Sequence, residues 1–105
     1  MAGFKLDARA RLSIELALTA ASGNGALTRQ QENDAKVLGM TGAEIDMARS
    51  GSSFDFQLSR AIAFALAANE EQRTRAIKAG LGAQVCAEIE NMAASYIDRS
   101  LLKSA

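Results

Sequence analysis

Not one of the 105 residues is proline, while alanine recurs throughout the chain. Proline stops helices most firmly and alanine favours them most, so glycine and short polar residues are left as the punctuation. The β-branched residues are few and scattered, which removes the usual support for strands. The expected class is all-α, with no sheet.

Six helices are expected from caps, apolar spacing and glycine stops. The first runs from about Asp7 to Ser22, with Leu12, Leu16 and Ala20 in steps of four, and "GNG" at Gly23 to Gly25 closes it. The second is expected to open at Thr28, where "TRQQ" reads as a capping box with Gln31 reaching back, and to stop at Gly39. A second box, "TGAE" at Thr41 to Glu44, opens the third, which stops at Gly51. The fourth follows "SSFD" and carries Phe54, Leu58, Ile62 and Leu66 in steps of four. "NEEQ" at Asn69 to Gln72 reads as cap and box for a short fifth helix ending at Gly80. The sixth covers about Ala83 to Leu102, with Val85, Ile89, Met92, Tyr96 and Ile97 on one face. Short connections and the lack of a linker or repeat predict one domain over 1–105, with 1–6 frayed.

Charge narrows the function. Lysines plus arginines number 12, aspartates plus glutamates 12, and the formal net charge is zero. A nucleic-acid or anionic-membrane binder carries a basic footprint, so neither partner is expected. The apolar run "AIAFALAA" is far too short for a membrane span, and the first residues lack the apolar stretch of a secretory signal. A single cysteine, Cys86, forms no internal disulfide, which fits a cytoplasmic protein. Histidine is absent, which removes the commonest general base and metal ligand.

The order of these segments resembles the alkylhydroperoxidase D (AhpD)-like and carboxymuconolactone decarboxylase superfamily. "RLSIELALTAASGN" resembles its first core helix running into the reactive turn, and "AKVLGMTGAEIDMARSG" the segment after that turn. "AIAFALAAN" and "AIKAGLGAQVCAEIENMAASYIDRSL" resemble the helices that follow. The resemblance implies an AhpD-like bundle that assembles as a homo-oligomer, a trimer or hexamer. It also implies a Cys-x-x-Cys-x-x-x-His motif and a relay glutamate. Here the two cysteine positions hold Asn24 and Leu27, the histidine position Gln31 and the glutamate position Leu12. Asparagine and leucine form no disulfide, and an amide relays no proton near neutral pH. Thiol peroxidase chemistry by the family route is therefore not expected, and neither is a cofactor. The frame implied by the resemblance places a small-molecule ligand, if there is one, at Gly23, Asn24, Gly25, Thr28 and Gln31.

Other residues are weighed against plainer roles. Cys86 lies mid-helix beside an apolar face, where an inert buried thiol is the common outcome. Glu15, close to the lost relay position, is a candidate base, with an ion pair to Arg11 as the plainer reading. Glu32 and Asp34 near a helix start favour its dipole, and no third ligand stands at helical spacing to make a metal site. Tyr96, Leu101 and Leu102, with Asp98, Arg99 and Lys103 as a polar rim, suit packing against the bundle or against another copy. A competing reading of 35–45 is a helix-turn-helix with Ala35, Gly39 and Ile45 at its key offsets. Glu44 and Asp46 on its second helix oppose contact with phosphates. A third reading leaves the catalytic groups to a partner subunit.

Overall fold

The computed structural model describes residues 4–20 and 25–104, with side chains up to Tyr96. Among them lie six helices and no strand: α1 (Ala8–Thr19), α2 (Gly25–Val37), α3 (Gly42–Arg49), α4 (Phe56–Leu66), α5 (Glu70–Lys78) and α6 (Ala83–Ser104). The chain is all-α, as its composition requires.

α1 is the central element. Asp7 caps it by accepting from the Ala10 N–H at 2.8 Å. Ala10, Leu12, Ser13, Ile14, Leu16 and Ala17 are all buried, which covers more than half of the helix circumference. The Ser13 hydroxyl meets this burial by donating to the Arg9 carbonyl at 2.9 Å. Two core clusters flank the helix. Ile14 and Ala17 join Ala61, Ile62, Phe64 and Ala65 of α4, Ala76, Leu81, and Cys86 and Ile89 of α6. Leu12 and Leu16 join Ala35, Met40, Ile45 and Ala48. Phe4 and Leu6 pack against the first cluster, so the segment ahead of α1 is anchored from Phe4 onward rather than frayed to residue 6.

Three glycine stops hold, whereas Gly25 of the stop expected after the first helix is the first residue of α2. Gly39, Gly51 and Gly80 all have positive φ, at 80°, 92° and 103°. The N–H after each one reaches back across the turn: Met40 to the Ala35 carbonyl, Ser52 to that of Met47 and Leu81 to that of Ala76. These are Schellman closures, which satisfy carbonyls that the helix end leaves without partners. The Thr41–Glu44 capping box forms in full.

Other local expectations are corrected. α2 starts at Gly25, so Thr28 lies inside the helix and the Thr28–Gln31 box does not form. Gln31 turns inward to Thr19 instead. On α4 the cap is Asp55, and Phe54 precedes the helix at 70% exposure while Leu66 ends it at 49%. The buried side of α4 is Ala61, Ile62, Phe64 and Ala65, displaced from the step-of-four stripe. Asn69 caps α5, yet the Gln72 side-chain amide oxygen Oε1 is buried without a hydrogen-bond partner, and the return half of that box is missing. On α6 the buried row is Cys86, Ile89 and Ala93, with Val85 and Met92 at its margin. The side chains of Ile97, Asp98, Arg99, Leu101, Leu102 and Lys103 lie outside the described residues, as do Gly23 and Asn24.

Phe64, at 1% exposure, fills the main cluster, and Phe64→Ala is expected to cost about 3–5 kcal/mol in urea unfolding. Gly80 gives a sharper test. A Cβ there would lie 2.7 Å from the Gln57 side-chain nitrogen, which donates to the Ala79 carbonyl at 2.9 Å. Gly80→Ala should destabilise the protein by about 1–3 kcal/mol, combining positive φ with displacement of that bond. Gly42→Ala, in open space at the start of α3, should change stability by less than about 1 kcal/mol.

Candidate functional site

Of the positions that the resemblance equates with the redox motif, Leu12 lies on α1 and Leu27 and Gln31 lie on α2, while Asn24 lies outside the described residues. Leu12 is 6% exposed among Leu16, Ala35, Met40, Ile45 and Ala48, and supplies no polar atom to a site. Gln31 is buried too, and its amide donates to the Thr19 hydroxyl at 3.0 Å. That hydroxyl donates to the Glu15 carbonyl at 2.7 Å, so its one proton is used and a lone pair faces Gln31. The chain Gln31 to Thr19 to the Glu15 backbone fastens α2 to α1 and contains no titrating group. Leu27 and Thr28 are half-buried on α2 and Gly25 is its exposed first residue. Of the expected ligand residues, Gly25, Thr28 and Gln31 therefore share the first two turns of α2, with the Gln31 side chain closed inward.

The thiol is sealed as well. Cys86 has no exposed surface, and burial pushes its pKa up. Arg73 draws it back down and Glu90 adds to the rise. A thiol in that state stays protonated and unreactive at neutral pH.

The acidic residues divide by use. Asp7 and Asp55 cap helices, and Glu44 closes the box on Thr41 while pairing with Arg9. Backbone hydrogen bonding at Thr41, with Arg9 assisting against burial, holds the Glu44 carboxyl below its usual range. Glu32 pairs with Arg49 of α3 at 3.1 Å, and no group of three potential metal ligands occurs among the described residues. A groove of about 570 Å³ near the starts of α1 and α4 includes Asp7, Glu44 and Asp55 in its wall, but all three are engaged at helix starts.

The Arg11–Glu15 strip is different. It is the part of α1 that the two core clusters leave toward solvent. Arg11 does not pair with Glu15 as the spacing suggested; it pairs with Glu88 of α6 at 3.5 Å. The half-buried Glu15 carboxylate makes no ion pair or hydrogen bond among the described residues. Two grooves share these residues. Toward α6, one of about 430 Å³ is lined by Arg11, Glu15, Glu88, Asn91, Met92, Ser95 and Tyr96. Toward α2, one of about 410 Å³ adds Ala8, Leu12, Asp34, Val37 and Leu38. The α6 contribution escaped the sequence reading, although Glu88, Asn91 and Ser95 stand at helical spacing as a polar strip. What spacing does not reveal is that this strip faces α1.

The positions of the helix-turn-helix reading are occupied by packing. Ala35 and Ile45 are buried in the cluster with Leu12 and Leu16, and Arg49, the cation near the end of α3, is committed to Glu32. No helix among the described residues is long and apolar enough to cross a membrane.

No protein-family model, curated protein or solved structure matches this chain.

Two measurements check this chemistry. Thiol labelling with Ellman's reagent should leave Cys86 untouched in the native protein and modify it fully in urea. Because the folded Glu44 pKa is lowered, its contribution to stability is present above the unfolded-state pKa and lost as pH falls through the folded one. Urea midpoints should therefore decline below about pH 4.5, and Glu44→Gln should flatten part of that acid limb.

Proposed function

We propose that this chain is a non-redox binding or accessory domain, built on the plan of the alkylhydroperoxidase D-like and carboxymuconolactone decarboxylase superfamily and working as a homo-oligomer. One observation carries the reading. Leu12 and Gln31, which stand where the family's relay and histidine would be, are internal side chains with packing and hydrogen-bond roles. The remaining thiol is buried, so no group here passes through a dithiol cycle. The concave surface beside Leu12, around Arg11 and Glu15, offers polar side chains to a small molecule without a thiol among them.

Assembly as a trimer or hexamer is supported by apolar side chains left in solvent. Phe54 is 70% exposed and Phe56 68%, and the molecule measures only 18 Å along its shortest axis. A thin slab with exposed aromatic residues buries them by association. A cytoplasmic location belongs to the same reading, since a lone free cysteine suits a reducing compartment. The DNA-binding alternative has less support, because α3 presents Asp46 and its Arg49 is already paired.

The test joins mass and chemistry. Size-exclusion chromatography with light scattering should give three or six times the 11.1 kDa chain. Organic hydroperoxide with dithiothreitol should be consumed no faster than in buffer, in the wild type and in Cys86→Ala alike. Turnover that Cys86→Ala abolishes would refute the non-redox reading, and a monomer would refute the assembly.

A further inference from the structure

We propose that the Arg11–Glu15 ridge binds a small zwitterion with an apolar tail, an α-amino acid or a molecule with the same head group. The proposal rests on the reading of this chain as a small-ligand-binding domain and names the class of ligand.

Three observations converge on it. First, Arg11 and Glu15 stand one helical turn apart on the solvent-facing strip of α1, a cation and an anion at a spacing that places them side by side. Neither is used up. Arg11 meets Glu88 at 3.5 Å, too long for a well-formed charged hydrogen bond, and the guanidinium keeps donors for another carboxylate. Glu15 has no partner among the described residues and is half-buried, which strengthens its attraction for an ammonium group over that of a solvated carboxylate.

Second, the two grooves that share this pair differ in character. The α6 side brings Glu88, Asn91 and Ser95, whose carboxylate, amide and hydroxyl suit a polar head. The α2 side brings Leu12, Val37 and Leu38, which suit a hydrocarbon tail. Burying a tail there would cover Val37, among the most exposed apolar side chains of the protein. Each groove, at about 430 and 410 Å³, has the scale of a site for a small molecule.

Third, the charges select the head. Glu15, Glu88 and Asp34 around a single Arg11 repel a simple anion and attract an ammonium group, while Arg11 gives a carboxylate on the same molecule its one cationic contact. A molecule carrying both signs satisfies the ridge: its carboxylate faces Arg11 and its ammonium faces Glu15.

The experiment is an amide-resolved NMR titration of the full ¹⁵N-labelled chain with L-leucine, L-methionine and L-phenylalanine. Isopentylamine and 4-methylpentanoate, which are leucine without its carboxylate and without its ammonium, serve as controls. At least one amino acid should give saturable shifts at Arg11, Glu15, Asn91 and Leu38, with half-saturation near 1 mM, and each leucine control should bind at least about tenfold more weakly than leucine. Glu15→Gln and Arg11→Gln should each weaken binding by about tenfold, with unchanged circular dichroism as the check that both fold. No saturable shift with any of the three amino acids, or equal binding by either control, would overturn the proposal. So would undiminished affinity in Glu15→Gln. Binding of isopentylamine alone would overturn the zwitterion and leave a small-ligand site standing. Cys86-dependent hydroperoxide turnover would remove the parent reading independently of any titration.

Discussion

The fold depends on the burial of α1. Ile14 and Leu16 have no exposed surface, and they point into different clusters, one shared with α4 and α6 and the other with α2 and α3. A helix that serves two cores has little circumference left for water. What remains is the strip carrying Arg11 and Glu15, so the position of the candidate site follows from the packing. The same geometry places Leu12 in the smaller cluster.

Polar chemistry here goes largely into helix ends and connections between helices. Asp7, Asp55, Asn69 and the Thr41–Glu44 box satisfy N-terminal amides, and three glycines close the opposite ends. Arg9–Glu44, Arg11–Glu88, Arg49–Glu32 and Arg73–Glu90 each link two helices. Exposed pairs of this kind contribute little stability individually, roughly 0–1 kcal/mol, so their effect is mainly on register. Against that background Glu15, a half-buried carboxylate without a partner among the described residues, stands out.

Two facts bear on thiol chemistry in this chain. One is compositional: a chain without histidine and with one cysteine has no dithiol and no imidazole relay. The other is spatial: Cys86 is enclosed by the larger cluster with its proton held, and the amide of Gln31 is engaged by Thr19. What the surface carries beside the groove at Leu12, Val37 and Leu38 is the cation of Arg11 and the carboxylate of Glu15.

Much of this was legible in the sequence, and the boundary is physical. Helical class, the stops at Gly39, Gly51 and Gly80, and the box at Thr41 depend on contacts within a few residues, which composition and spacing encode directly. Glu15 stood out in the sequence for its position, but the turn of Arg11 away from it toward Glu88 did not. Tertiary packing decided that Phe64 enters the core while Phe54 stays outside, that Cys86 lies on the buried row of α6, that Gln31 answers Thr19 rather than the start of its own helix, and that Arg11 reaches Glu88. In helices this rich in alanine several faces are similarly apolar, so the sequence leaves the buried face open. The neighbours then select it, and with it the side chains that meet across α1, α2 and α6.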